Sequence, residues 1–161
     1  MKKDINIVWF KRDLRINDHA PLFASSKLNI PILPLYVVEP DYWQKSFSSR
    51  RHWHFIYDCL CDLNVSLTNL GQPLIVKVGD VCDIIESIQA EYNICGVYSH
   101  EETGNLWTFK RDIRVKKVCT INNIPTHEYP SNGIVRKLSS RNNWSVIRNQ
   151  RMSDKIISCL L

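Results

Sequence analysis

The N-terminal segment places an apolar strand pattern directly before a dense group of charges. Residues 5–10 form a continuous apolar run with a single Asn, as expected for a strand that is covered on both faces. Residues 11–18 then carry three cations and two carboxylates, and Asn17 or Asp18 is suited to cap a helix from about His19 to Lys27. Open α/β sheets build their binding crevices where strands deliver charged groups at their carboxyl ends. The segment therefore predicts the first strand and the first loop of such a sheet.

The rest of the chain alternates between strand and helix patterns. Residues 30–38 are apolar but contain Pro34, and because proline cannot donate to a sheet ladder, the second strand is predicted to begin there. The longest helix is predicted at 50–70, with one apolar stripe and Gly71 closing it. The other predicted elements are strands at 74–78, 94–99 and 125–129 and helices after Asp80 and at about 105–121. This order predicts an α/β fold, with a five-stranded parallel sheet in a three-layer arrangement.

The composition is that of an ordinary globular domain. The 161 residues are 44% hydrophobic and 23% charged, which suits one domain with a single core. No apolar stretch reaches membrane-spanning length, and the first residues lack a signal-peptide core. None of the six cysteines forms a C-x-x-C pair, and His52 and His54 point to different faces of a predicted helix. The sequence therefore predicts a cytoplasmic location, no membrane partner and no metal site.

Charge is distributed unevenly along the chain. Residues 1–130 hold 15 basic and 15 acidic side chains, so the whole net charge of +5 lies in residues 131–161. We predict that 1–130 is the folded α/β domain and that 131–161 is a basic connector toward another domain. Residues 156–161 are mostly apolar and have no visible partner, which predicts either self-association through the C-terminus or disorder of this end.

Two well-known functional patterns are absent from the sequence. The five glycines are isolated, so no G-x-G-x-x-G loop follows the first strand, and a dinucleotide held there by its pyrophosphate is not expected. There is also no G-x-S-x-G motif and no convincing acid–base pair. The sequence accordingly predicts no catalytic residue.

Three segments form a set of motifs in a fixed order. Residues 9–22 read WFKRDLRINDHAPL, residues 98–112 contain YSHEETGN and a helix with the pair Arg111-Asp112, and residues 131–152 contain SNGIVRKL and SRNNW. Together they resemble the N-terminal domain of the DNA photolyase and cryptochrome flavoproteins. With the order of strands and helices, the likeness covers about residues 4–152.

The resemblance implies a Rossmann-like domain that binds a light-harvesting antenna chromophore, either a reduced folate or a flavin-type compound, at the strand ends. It also implies that FAD and damaged DNA bind to a larger helical domain downstream, where photoexcited flavin splits pyrimidine dimers. This chain alone is therefore expected to have no repair activity. Two other interpretations stay open: a stand-alone, non-catalytic α/β module that binds a nucleotide, a flavin or a partner protein, and a degenerate remnant without a ligand.

Seven residues are predicted to lie at the chromophore site. Arg12 faces the chromophore or its anionic tail, or alternatively forms a salt bridge with a neighbour such as Asp13. The main task of Asp13 is expected to be fixing the loop. Glu101 and Glu102 can accept hydrogen bonds from a pterin or flavin edge, and Glu101 is preferred because the helix dipole already explains Glu102. The complete predicted set is Phe10, Lys11, Arg12, Asp13, Glu39, Glu101 and Glu102.

Overall fold

The computed structural model describes residues 2–131, 133–136 and 138–158. Strands and helices alternate along this part of the chain. The strands are β1 (Asp4–Phe10), β2 (Ile32–Val38), β3 (Ile75–Val78), β4 (Asn93–His100) and β5 (Thr126–Tyr129). The helices are α1 (Ala20–Ser26), α2 (Pro40–Trp43), α3 (Arg50–Asn69), α4 (Val81–Glu91), α5 (Leu106–Ile121) and α6 (Trp144–Ser153).

The five strands form one parallel sheet in the order β3-β2-β1-β4-β5. The central strand β1 pairs Trp9 with Leu35 of β2 on one side and Val8 with Tyr98 of β4 on the other. The strand order therefore reverses direction at β1, and in open α/β sheets a ligand crevice lies outside the carboxyl ends at such a point. The predicted fold class and the number of strands are confirmed.

Alternate side chains of the sheet enter two separate cores. Ile7 and Trp9 of β1 pack on the same side as Ile85 of α4, in a cluster that also contains buried residues of α5. Val8 of β1 faces the other side and belongs to a cluster with Leu63 of α3. Because helices cover both faces of the sheet, its central strand β1 is buried on both sides, as its apolar sequence predicted.

The predicted N-cap residue is correct for α4 and wrong for α1. The predicted cap Asp80 is confirmed, since its carboxylate accepts an amide N–H from the first turn of α4 at 2.8 Å. For α1 the prediction of Asn17 or Asp18 is wrong. The cap is His19, whose Nδ1 accepts the amide N–H of Leu22 at 3.1 Å. A histidine serves here because its ring is fixed in place by a carboxylate, as described below.

The second strand begins before the proline that was predicted to start it. β2 runs from Ile32, and Pro34 pairs with Val8 inside the strand. The partner strand β3 first pairs with β2 at Leu35. At Pro34 the sheet therefore has a neighbour on one side only, and the missing N–H of proline leaves no carbonyl of β3 without its donor.

The C-terminal part of the described chain folds back onto the domain. The polar stretch after residue 130 contains the helix α6, which the sequence analysis did not predict. Further along, the amide of Asp18 donates to the carbonyl of Ile157 at 2.9 Å. The expectation that this apolar end has no partner is therefore wrong for Ile157. Residues 159–161 lie outside the described residues, and self-association stays a prediction.

Within the described residues, none of the helices has both the length and the apolar character that crossing a bilayer requires.

Candidate functional site

A cleft of about 520 Å³ lies beside the carboxyl ends of β1 and β2. We call it the chromophore cleft after the ligand that the sequence resemblance implies; α2, the first turns of α3 and residues of α5 complete its walls. Five of the seven predicted site residues line it. These are Phe10, Lys11, Arg12, Glu39 and Glu102. The strands deliver these residues to one edge because all of them follow a parallel strand or end it.

The floor of the chromophore cleft is a buried ion-pair network centred on Arg111. Its guanidinium donates to Glu39 at 2.9 Å and to Glu102 at 3.1 Å, and it also pairs with Asp112 at 2.9 Å. Burial works against the charge of Arg111, but the surrounding carboxylates raise its pKa. Burial raises the pKa of Glu39 as well, and the nearby Arg111 offsets only part of that rise. The floor therefore combines acceptors and a donor fork in a site shielded from water.

The walls of the chromophore cleft are largely aromatic and apolar. Trp9 and Phe10 are buried beneath it, whereas Phe55 is 69% exposed at its edge. Tyr42 and Trp43 from α2 line the cleft as an edge-to-face pair with ring centroids 5.3 Å apart. Aromatic faces of this kind suit a planar heteroaromatic ligand.

The two basic residues that follow β1 each have a carboxylate partner. Lys11 donates to Asp112 at 2.7 Å, and both side chains are nearly buried. Arg12 donates to Glu102 at 2.6 Å, although 57% of its side chain is exposed. The predicted alternative, a salt bridge with a neighbouring carboxylate, therefore forms, but its partner is Glu102 and not Asp13. Gly104 belongs to the same cluster: its amide donates to Glu102 at 2.6 Å, and a side chain at this position would collide with Glu102.

Asp13 and Glu101 lie outside the chromophore cleft. They line a second, polar crevice of about 390 Å³ beside the carboxyl ends of β1 and β4, which also contains Lys11, Arg12 and Glu102. Arg12 and Glu101 are thus on the same edge of the sheet, as predicted. Of the two glutamates, Glu102 lines the chromophore cleft, whereas Glu101 lines only the polar crevice, and the preference for Glu101 as a ligand stays a prediction.

Asp13 holds two histidines in a buried network. Its Oδ2 accepts from Nε2 of His19 at 2.8 Å and from Nδ1 of His100 at 2.5 Å, and its Oδ1 accepts the amide N–H of Lys11 at 2.8 Å. Burial alone would raise the pKa of Asp13, but these hydrogen bonds outweigh it and hold the pKa well below its usual range. Burial lowers the pKa of His19, which keeps that ring neutral. These hydrogen bonds support the expectation that Asp13 fixes the loop.

The same three side chains satisfy the distance requirement for a metal site, since their ligand atoms lie within 4.8 Å of one another. The hydrogen bonds indicate that these side chains orient the loop and do not bind a metal. Both rings direct an N–H at Asp13, and the remaining ring nitrogen of His19 accepts the amide of Leu22. A metal would have to displace these protons, so the arrangement as it stands orients the loop.

Four side chains of these networks were absent from the predicted site: Arg111, Asp112, His19 and His100. The pair Arg111-Asp112 was visible as a motif, but its spacing along the helix gave no indication that it reaches Glu39, which lies 72 residues away. His19 and His100 were each a lone histidine in the sequence. Only the pairing of β1 with β4 brings His100 to Asp13.

Comparisons with known proteins agree on one family. A family model described as DNA photolyase matches residues 6–145. Cryptochrome DASH, chloroplastic/mitochondrial, from Solanum lycopersicum is 32% identical over 126 residues, which are 74% of this chain and 21% of that protein. Cryptochrome DASH from Gloeobacter violaceus is 30% identical over 118 residues, which are 67% of this chain and 23% of that protein. The chain thus spans about a fifth of the length of these relatives.

Solved structures show the same fold. A cryptochrome from Synechocystis superposes with a TM-score of 0.83 at 20% identity, over 99% of this chain and 36% of that one. An archaeal photolyase from Sulfolobus tokodaii, solved with two FAD molecules that implied a novel light-harvesting cofactor, gives a TM-score of 0.75 at 22% identity, over 94% of this chain and 35% of that one. With the family model, these likenesses show that the chain belongs to the DNA photolyase family and matches its N-terminal α/β domain.

Proposed function

We propose that this chain is a light-harvesting domain that binds an antenna chromophore in the chromophore cleft. The observation that supports the proposal most is the cleft itself, with its volume of about 520 Å³. Small-molecule sites typically enclose roughly 300–1,000 Å³ and combine apolar walls with a few polar groups. The aromatic walls and the charged floor of this cleft have that character.

The chemistry of the floor fits a flavin-type compound or a reduced folate. Both present ring N–H groups next to ring carbonyls, which need acceptors and donors side by side. Glu39 and Glu102 supply carboxylate oxygens, and Arg111 lies between them with its donor fork. Trp43 and Tyr42 offer faces for a planar ring. The bound chromophore would absorb light and transfer the excitation energy, while these side chains fix its orientation.

The remaining parts of the proposal concern the longer proteins of the family. Light-driven repair of DNA, with FAD as the reacting cofactor, would need the larger helical domain, and this domain by itself would be inactive. Residues 131–161 would act as the basic connector between the two domains. The proposal also includes a cytoplasmic location.

Binding can be tested by titrating the purified chain with flavin mononucleotide (FMN), riboflavin, FAD and a reduced folate while recording fluorescence and absorption. Phe55→Ala removes an exposed ring from the cleft edge without opening the core. We expect it to weaken chromophore binding about fivefold, because an aromatic contact contributes roughly 1 kcal/mol.

Phe109→Ala is the matched control, since Phe109 is an exposed phenylalanine on α5 outside the chromophore cleft. It should leave the affinity unchanged. Saturable binding of ATP in place of every chromophore would favour a nucleotide-binding module and contradict the proposal, and failure of all ligands would indicate a remnant.

A further inference from the structure

We infer that Arg51 binds the anionic tail of the chromophore, and that this tail is the phosphate of FMN. The inference rests on the chromophore site proposed above and assigns its outer end. Arg51 lies in the first turn of α3, where that helix forms part of the cleft wall. No residue of this turn was among the ligands predicted from the sequence.

The other cations of the cleft are already neutralised. Lys11 pairs with Asp112, Arg12 with Glu102, and Arg111 with carboxylates on either side. Arg51, by contrast, forms no salt bridge and no side-chain hydrogen bond with any residue that the structure describes. A cation without a partner on the wall of a cleft is positioned to receive an anion from the ligand.

The burial of the lining residues gives the bound molecule a direction. The floor residues Glu39, Glu102 and Arg111 are buried, whereas Arg51 and His52 are exposed. A planar ring with N–H and carbonyl groups matches the floor, so the chain attached to that ring would extend toward Arg51. The tail would therefore lie at the solvent-exposed end of the cleft, beside the guanidinium of Arg51.

A phosphate suits this position better than a carboxylate. A phosphate monoester carries close to two negative charges at neutral pH, and guanidinium binds its oxygens through two parallel hydrogen bonds. The positive end of the long helix α3 adds to the attraction. In FMN the phosphate ends a flexible chain that leaves the ring at one edge, whereas riboflavin is the same molecule without the phosphate.

The test is the ratio of FMN affinity to riboflavin affinity, measured by quenching of flavin fluorescence. In the unaltered protein we expect FMN to bind about tenfold more tightly, since a charge-assisted contact has about that effect. Arg51→Met should bring the ratio close to one by weakening FMN alone. Arg51→Lys should restore part of the preference, and added salt should reduce it.

Arg50→Met is the matched control, because Arg50 is the neighbouring exposed arginine and lines a different groove. It changes the net charge by the same amount and should leave the ratio intact. Equal binding of FMN and riboflavin to the unaltered protein would overturn the inference while leaving the proposed function standing. An equal loss of FMN preference in Arg51→Met and Arg50→Met would also overturn it. Such a result would indicate that FMN responds to the overall positive charge and not to a contact with Arg51.

A titration with a reduced folate polyglutamate distinguishes a phosphate tail from a carboxylate tail. If neither flavin binds but a reduced folate polyglutamate does, and if its affinity falls in Arg51→Met, the tail carboxylates take this place and the phosphate assignment is wrong. If no flavin and no folate binds, the proposed function itself fails and the inference fails with it.

Discussion

Asp13 connects segments that are far apart in the sequence. It accepts hydrogen bonds from His19 at the start of α1 and from His100 at the end of β4, 87 residues further along the chain. Its other oxygen fixes the amide of Lys11. A buried carboxylate with several donors stabilises the fold only while it is ionised. The loop that carries Lys11 and Arg12 into the candidate site therefore depends on one charge.

Asp13→Asn should lower the free energy of unfolding at pH 7 by roughly 2–4 kcal/mol, because it removes a charged acceptor from two buried donors. Chemical denaturation followed by circular dichroism measures this change. Asp58→Asn, which alters an exposed carboxylate on α3, is the control and should have almost no effect. A loss of less than 1 kcal/mol would contradict the role of Asp13.

The same network sets the pH dependence of stability. The pKa of Asp13 is lowered in the fold, so its contribution is present above the unfolded value of about 4 and is lost as the pH falls below it. The pKa of His19 is also lowered, so stability begins to fall with acidification from about pH 6.5. Both groups thus destabilise the fold in acid. Asp13→Asn should flatten the decline below about pH 4.

At the scale of elements, two different parts of α3 contribute to the core and to the candidate site. Leu60, Leu63 and Leu67 form the buried stripe that packs on the sheet. The first turn, with Arg51, projects beyond the sheet edge to the chromophore cleft. The stripe fixes the position of the helix, and the position of the helix fixes the outer end of the site.

Leu63→Ala should destabilise the chain by about 2–5 kcal/mol, because it leaves a cavity in a core where Leu63 is only 2% exposed. Val65→Ala on the same helix is the control, since Val65 is 61% exposed and such changes usually stay within about 0.5 kcal/mol. Thermal and urea unfolding of both variants measure the difference. Similar losses in the two would contradict the assignment of this face to the core.

At the scale of the whole molecule, the chain returns to its own N-terminal half. Ile157 exchanges hydrogen bonds with Asp18: the amide of Asp18 donates to its carbonyl at 2.9 Å, and its amide donates to the Asp18 carboxylate at 3.2 Å. Its side chain lines a groove with residues of α1 and α3, including Leu22 and Leu67. Ile156, by contrast, is 77% exposed. The tail thus closes against the loop that precedes α1.

Ile157→Asp should detach this tail, because a charged side chain cannot remain in an apolar groove without a partner. We expect faster amide hydrogen exchange at Asp18 and faster proteolysis after α6, with a loss of about 1 kcal/mol in unfolding free energy. Ile156→Asp introduces the same charge at the exposed neighbour and should change neither rate. Equal protection in both variants would show that the tail is not held by Ile157.

Local sequence patterns determined the fold class, the bounds of α3 and α5, the start of α4, and the edge of the sheet that carries the candidate site. Apolar runs and capping residues such as Asp80 act within a few residues, so they can be interpreted without knowing the partners. The motif residues Arg12, Glu39 and Glu102 were identified because each lies just beyond the end of an apolar run or inside a family motif.

Only the tertiary structure decided how the charges divide between two crevices. Whether Glu101 or Glu102 enters the chromophore cleft, whether Arg12 pairs with Asp13, and whether Arg111 reaches Glu39 depend on side-chain directions that strand pairing and helix packing set together. The same holds for His19 as a cap and for the docking of Ile157. These contacts join residues far apart in the chain, and no periodicity within a segment encodes such distances.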